Sequence, residues 1–428
     1  MLTASAPRRV AILGGNRIPF ARSNTAYAEV SNQEMLTAAL QGLADRYDLH
    51  GLRLGEVAAG AVLKLSRDIA LTRESLLDTT IGHDTPTYDV SQACGTGLEA
   101  AILVANKIAL GQIEVGIAGG VDTTSDAPIG LNEKFRKALL AANREKTTGG
   151  RIKALLGAGL SAPFKPEPPR NAEPRTGLSM GESCEQMAKR WAIPREDQDA
   201  LAVASHRNAA AAWEAGLFDD LVTPFRGLKR DNNLRPDIDP AKLVTMKPVF
   251  DRVNGTLTAA NSTPLTDGAS TVLLASEDWA RARGLPVLAY LRTGETAAVD
   301  FVKGDEGLLM APAYAVPRML ARLGISLQEF DLYEIHEAFA AQVLCTLKAW
   351  QDEDYARTRL GLERAPGAID MSRLNVNGGS LAAGHPFAAT GGRILANLAT
   401  MIDRRGGGRG LISICAAGGQ GVVAVVEK

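Results

Sequence analysis

The sequence predicts an α/β fold with parallel sheet and crossover helices, and three observations carry that expectation. Short apolar segments of strand texture alternate with longer helical ones, the order that generates βαβ crossovers. Hydrophobic residues make up 46% of the 428, the ordinary fraction for a chain that buries a core and well above that of a disordered one. Glycines cluster in pairs, Gly119-Gly120, Gly378-Gly379 and Gly418-Gly419, which suit tight turns at strand ends, often beside a ligand.

Residues 9–13 read as a short buried strand that ends in Gly14-Gly15-Asn16. Ser31 followed by Glu34 is a capping-box pattern, and the helix it opens has Met35, Leu36, Ala39, Leu40 and Leu43 on one apolar face. Strand texture follows at 56–63 and 88–93, a helix at 98–110 and a strand at 115–118. The segment 131–175 differs: ten Lys/Arg against four Asp/Glu, five prolines and little periodicity predict an inserted loop region. Helices return at 180–191 and 194–215, where Pro194 suits the first helical position and Gly216 the residue past the end. After Leu257 the alternation resumes.

The second half echoes the first. Tyr88-Asp89-Val90 leads through Cys94-Gly95-Thr96-Gly97 into a helix and then a strand ending at Gly119-Gly120. Leu374-Asn375-Val376 leads through Gly384-His385-Pro386 into a helix around 393–401 and a strand at 411–414 before Gly418-Gly419. A duplicated unit with pseudo-twofold symmetry would bring the loop of Cys94 to those of His385 and Cys415, although they lie about 300 residues apart.

Charge and cysteine usage bound the function. Lys+Arg 47 against Asp+Glu 48 leaves a formal net charge of −1, so no global field draws in nucleic acid. Cysteines 94, 184, 345 and 415 are too scattered for a disulfide framework and include no CxxC pair, which points to a reducing, cytoplasmic setting. The first residues lack the apolar run of a signal peptide, and no stretch approaches the 18 to 20 apolar residues, roughly, that span a bilayer.

Cys94 stands between a predicted strand and the first turn of a helix, where unpaired N–H groups and the helix dipole would lower its pKa and favour thiolate. Its plain alternative is a small buried hydrophobe. Gly95-Thr96-Gly97-Leu98-Glu99-Ala100 also matches a dinucleotide fingerprint, but the required acidic residue is misplaced: Glu114 precedes the next strand instead of ending it. His385 sits in a loop of small residues that admits a ligand, and His336 stands where a strand passes into a helix. Cys415 follows a buried strand, and the turn after it exposes backbone N–H groups. Two thiols and two imidazoles raise zinc as a reading, which the absence of short ligand spacing disfavours. Cys184 and Cys345 fall in helical patterns and read as core; His50, His83 and His206 carry no assigned chemistry.

Five segments together carry a resemblance. Residues 91–100, Asn261-Ser262-Thr263-Pro264-Leu265-Thr266-Asp267-Gly268, His336-Glu337-Ala338-Phe339-Ala340-Ala341-Gln342, 377–386 and 415–421 resemble, in order and spacing, the signature blocks of the thiolases. The likeness is greatest to degradative 3-ketoacyl-CoA thiolases of the trifunctional β-subunit type, because thiolases more commonly have Asn in place of His336. The resemblance implies a five-layered αβαβα thiolase fold of two similar halves, 1–284 and 285–428, with a loop domain at about 125–250 covering coenzyme A. It implies Cys94 as the acyl-accepting nucleophile, His385 as its base and Cys415 as the acid/base thiol. The N–H groups of Cys94 and Ala417 would form one oxyanion hole, and His385 with His336, or a water that His336 holds, a second. Ala417 departs from the glycine usual there. Thr263, Ser179 and Met180 match positions lining the pantetheine channel. Coenzyme A enters as substrate, with no metal and no redox cofactor, and a homodimer or tetramer is expected.

The net +6 of segment 131–175 is interleaved with Leu139, Leu140, Ile152, Leu155, Leu156 and Phe164, which suits docking to an anionic membrane or to a hydratase/3-hydroxyacyl-CoA dehydrogenase subunit. Rival functions are a biosynthetic acetyl-CoA C-acetyltransferase, a carrier-protein ketosynthase, a nicotinamide-dependent oxidoreductase and a non-catalytic scaffold subunit.

Overall fold

The computed structural model describes residues 7–159 and 165–428. Its strands are β1 (Val10–Arg17), β2 (Ala21–Arg22), β3 (Glu56–Ala59), β4 (Thr87–Asp89), β5 (Val115–Asp122), β6 (Thr266–Ser276), β7 (Ala289–Ala298), β8 (Leu332–Ile335), β9 (Arg409–Ala416) and β10 (Gln420–Glu427). They run in the order β4-β3-β5-β6-β1-β7-β10-β9-β8, with β2 pairing β6. Reading outward from the seam between β1 and β7, the two sides repeat. Strands β1, β6, β5 and β3 correspond to β7, β10, β9 and β8: two antiparallel pairings, then a parallel one. The seam is short, Ala11 to Tyr290 and Ile12 to Ala289, so the sheet folds over there into two layers.

Helices fill the remaining layers. The first half contributes α1 (Asn32–Tyr47), α2 (Leu71–Leu77) and α3 (Thr96–Ala109); between β5 and β6 come α4 (Glu133–Arg144), α5 (Thr148–Leu156), α6 (Met180–Arg190), α7 (Arg195–Glu214) and α8 (Pro240–Val244). After β6 follow α9 (Glu277–Ala282), α10 (Ala311–Leu323), α11 (Ala340–Ala349), α12 (Glu353–Tyr355), α13 (Ser380–Ala383) and α14 (Ala389–Arg404). Helix α1 covers one outer face on β1, β5 and β6, while α10 covers the other on β7, β9 and β10. Helices α3 and α14 lie between, each touching strands of both halves. The result is the αβαβα order of the thiolase fold.

Side-chain alternation explains how strands can be buried on both faces. On β1, Ala11 and Leu13 face the core under α1 while Val10 and Ile12 face the central one. On β10, Val422, Ala424 and Val426 face the central core, and Val423 and Val425 the core under α10. The Ser31–Glu34 capping box opens α1 as expected, and Gly216 follows α7 at φ +68°. Pro194 is the cap of α7, one residue before the helix.

One expectation is corrected: the segment read as loop contains the amphipathic pair α4 and α5. Its apolar residues cover little of the protein, with Leu140 45%, Ile152 53% and Leu156 59% exposed, so the core-facing pattern that marks other helices is missing. Residues 160–164 of that segment, Pro163 and Phe164 among them, lie outside the described residues.

Candidate active site

Cys94 is set by a sharp turn. Strand β4 ends at Asp89, Val90 N–H still donates to Ala59 O at 2.8 Å, and the chain then folds back through Ala93 at φ +46°. A left-handed alanine costs on the order of 1–3 kcal/mol and persists only where its surroundings over-determine it. Here Thr96 does so, its hydroxyl accepting from Gln92 N–H at 2.8 Å and donating to Ala93 O at 2.7 Å. The Cys94 thiol thereby stands at the opening of α3, partly exposed.

The surroundings of the thiol work against the thiolate that the helix dipole alone would favour. Burial pushes the Cys94 thiol up to about 12, while the N–H groups of Ala417 and of Cys94 itself pull only weakly the other way. Desolvation of a charge in an apolar shell outweighs the partial charge of one helix end. The partner imidazole behaves alike: burial, then the nearby Arg393, holds His385 down to about 3. His385 Nε2 lies 3.1 Å from Cys94 Sγ, so the two form a neutral thiol–imidazole pair in which the base is free to take the proton.

His385 is fixed from several sides. Its N–H donates to Thr266 Oγ1 at 2.6 Å, its Nδ1 lies 2.6 Å from Thr390 Oγ1, and the Phe387 ring meets it edge-on at 5.3 Å. Gly384, at φ +99°, has no space for a side chain, since a Cβ would fall 2.6 Å from Thr266 Cγ2. His336, immediately after β8, places Nε2 3.3 Å from His385 Nε2 and Nδ1 2.8 Å from Ser380 Oγ. Burial above all, then His385 and Arg393, keeps His336 well below the usual imidazole range. Its neighbour Glu337 is fully buried and clamps the surrounding loops, accepting from Ser205 Oγ, Asn375 Nδ2 and Leu381 N–H.

The third loop is the hairpin between β9 and β10. Cys415 is buried on β9, and desolvation together with nearby Cys94 pushes its thiol up, leaving it protonated. Gly418 and Gly419 turn the chain at φ +78° and +72°, and Gly418 N–H donates to Glu173 of the insertion at 2.7 Å. Gln92 Nε2 donates to Gln420 Oε1 at 3.1 Å, which ties the Cys94 turn to this hairpin.

The fold thus brings Cys94, His336, His385 and Cys415 to one place. Sγ of Cys94 and one nitrogen of each histidine fall within 4.8 Å of one another, a donor set that also suits a soft cation. Thr263 lines an adjoining cavity of about 300 Å³ together with Arg22, Arg235, Phe250 and Leu381. Ser179 and Met180 do not line it: the Ser179 hydroxyl caps α6, and Met180 packs against the core under α10. Cys184 and Cys345 are fully buried, and His206 is buried on α7. The glycines of the dinucleotide-like run are already in use, for a Cβ on Gly97 would lie 2.6 Å from Ala388 O and one on Gly95 2.5 Å from Val422 Cγ2. Sequence reasoning missed Ser380, Thr390 and Arg393. Only Arg393, a charge on the buried side of an amphipathic helix, left a signal in the pattern.

Known proteins share both sequence and fold. The model of the thiolase N-terminal domain matches residues 10–278 and that of the thiolase C-terminal domain 285–428. The chain is 43% identical over 425 residues to a 3-ketoacyl-CoA thiolase of Serratia proteamaculans, covering 98% of this chain and 97% of that one. It is 42% identical, with the same coverage, to a 3-ketoacyl-CoA thiolase of Vibrio cholerae. Among solved structures, the acetyl-CoA acetyltransferase of Bacillus anthracis superposes with a TM-score of 0.81 at 29% identity, over 99% of this chain and 100% of that one. Human mitochondrial 3-ketoacyl-CoA thiolase does so with a TM-score of 0.81 at 27% identity, over 98% and 99%. With both domains matched from β1 to the last residue and relatives alike over nearly their whole length, the chain belongs to the thiolase family.

Proposed function

We propose that this chain is a degradative 3-ketoacyl-CoA thiolase (acetyl-CoA acyltransferase), with Cys94 as nucleophile and His385 as its base. The contact of Cys94 Sγ with the unprotonated imidazole of His385 carries the reading. As Cys94 attacks the 3-keto carbon, its proton passes to His385, so the thiolate forms only when an electrophile is present. The oxyanion that develops on the 3-keto oxygen is met by the N–H groups of Cys94 and Ala417. The C2–C3 bond then breaks, and the electron pair moves onto the acetyl-CoA enolate. His336 and His385 face its oxygen, and Cys415, held protonated by burial, gives its proton to C2. Cys415 then takes the proton of incoming coenzyme A, whose sulfur attacks the acyl-Cys94 thioester; the Cys94 sulfur leaves, recovers its proton from His385, and the shortened acyl-CoA is released.

Arg22 and Arg235 in the cavity beside Thr263 suit the phosphates of coenzyme A. The chemistry runs on the chain's own thiols and imidazoles, with coenzyme A as substrate and no metal or redox cofactor. The names of the relatives in Serratia and Vibrio favour the degradative direction over biosynthetic acetyl-CoA acetylation. Thiolysis of 3-ketoacyl-CoA substrates from about C4 to about C16 tests the proposal: turnover rising with chain length supports it, turnover of acetoacetyl-CoA alone moves the reading to the biosynthetic enzyme, and no thiolysis at any length overturns it.

The remaining partners belong to the same proposal. The chain works in the cytoplasm as a homodimer or tetramer and binds no nucleic acid. The exposed apolar and basic residues of α4 and α5 dock it to a hydratase/3-hydroxyacyl-CoA dehydrogenase subunit or to an anionic membrane. Among the described residues, no helix is long and apolar enough to cross a membrane.

A further inference from the structure

Arg393 is a buried cation whose counter-charges, the buried carboxyls of Glu334 and Glu337, act on it from beyond ion-pair distance. It is 3% exposed on the inner side of α14, forms no ion pair among the described residues, and leaves Nε without a hydrogen-bond partner. Burying a charge is costly unless it is paired. The one side-chain hydrogen bond described for it goes from Nη2 to Ser380 Oγ at 3.0 Å. That same oxygen lies 2.8 Å from His336 Nδ1, and His336 Nε2 lies 3.3 Å from His385 Nε2. A line of four groups therefore ends at the base of the reaction.

Proton positions along this line are constrained. His336 can serve a substrate oxygen as donor only with a hydrogen on Nε2, the nitrogen that lies 3.3 Å from His385 Nε2. His336 Nδ1 is then the bare nitrogen, which requires the Ser380 hydroxyl to donate. Arg393, which can only donate, occupies the serine oxygen as an acceptor and polarises its O–H toward His336. The hydrogens of Arg393, Ser380 and His336 then run toward His385.

We propose that Ser380, held by Arg393, is a positioning residue that locks His336 as its Nε2–H tautomer. His336 then reaches the substrate oxygen as a neutral donor once His385 has taken the thiol proton, and the nearby cation of Arg393 keeps His336 from taking that proton itself. This rests on the thiolase reading of the site, and the first readout below is independent of turnover.

The test combines a spectroscopic and a kinetic measurement. In wild-type protein with 15N-labelled histidine, His336, assigned by its loss in His336→Asn, should show protonated Nε2 and bare Nδ1; Ser380→Ala should show a tautomer mixture. A wild-type His336 protonated at Nδ1 overturns the proposal whether or not the chain is a thiolase. In thiolysis, Ser380→Ala should lower kcat on the order of 10-fold or more with little change in KM, within the range set by loss of one transition-state donor. In the His336→Asn background, where an amide has no tautomer to select, the same change should cost less than about 2-fold. An equal loss in both backgrounds assigns Ser380 a purely structural role and overturns the proposal, as does no loss in either. Arg393→Gln should add nothing to Ser380→Ala if the two act in series; where that variant does not fold, the Ser380→Ala comparison decides alone.

Discussion

At the scale of single residues, burial favours the neutral forms of Cys94, His385 and Cys415, and the proposed mechanism has Cys94 lose its proton only as the substrate is attacked. The ultraviolet difference spectrum of wild type minus Cys94→Ser should therefore show no thiolate band from about pH 6 to about pH 9, because the folded thiol titrates near 12. A band present throughout that window would mean a resting thiolate–imidazolium pair. The same burial means that lowering pH through the ordinary histidine range leaves His385 unprotonated, so the acid limb of kcat/KM should lie well below about 6.5. Cys94→Ser should abolish turnover with the fold retained, whereas Cys415→Ser should still let acyl-CoA acylate Cys94 and should block completion of thiolysis. Mass spectrometry of the acyl-enzyme separates the two, and equal loss of acylation would refute the division of roles. His336→Ala should cost roughly 10²- to 10³-fold in kcat, and His336→Asn should regain much of it; an inert His336→Ala would return that residue to a structural part.

At the scale of elements, the active site depends on how closely two helices approach. The first turns of α3 and α14 meet backbone to backbone, since a Cβ on Gly391 would fall 2.2 Å from Leu98 N and one on Gly97 3.0 Å from Gly392 N. Cys94 and His385 precede these two helices, so their separation is set by that contact. Gly391→Ala should destabilise the protein by about 1–3 kcal/mol through overpacking and should lower kcat more than KM. Denaturant midpoints and steady-state kinetics check this, and an unchanged midpoint would show that the helices can part freely. The elements themselves were legible where one face is buried: α1, α3 and the strands carry clear periodicity. Helices α4 and α5 were not, although α4 is amphipathic, because the segment's prolines and basic residues outweighed that pattern in the reading.

At the scale of the molecule, the insertion between β5 and β6 does two things. Through Glu173 it reaches the hairpin that follows Cys415, and through α4 and α5 it offers an exposed basic and apolar surface. Deleting residues 140–156 should leave thiolysis of a short substrate nearly unchanged and weaken association with the dehydrogenase subunit or with anionic vesicles. The weakening should be greatest at low salt, where charge attraction contributes most. Pull-down and vesicle flotation across a salt series provide the measurement, and survival of both associations would give the insertion another role.

By itself, the sequence determined the class and the duplication, because turn-forming glycines and buried strands leave marks in one dimension. Cys94, His336, His385 and Cys415 stood out as candidates in their loops, and the resemblance to the thiolases implied their roles. Tertiary structure alone decided their ionisation and their supporting contacts. Whether a helix N-terminus lowers the pKa of a thiol depends on how much water the rest of the fold removes, and here burial wins. Ser380, Thr390 and Arg393 gain meaning only from the rings they touch. Those contacts join segments of the second half that lie up to 44 residues apart, and only folding brings them together.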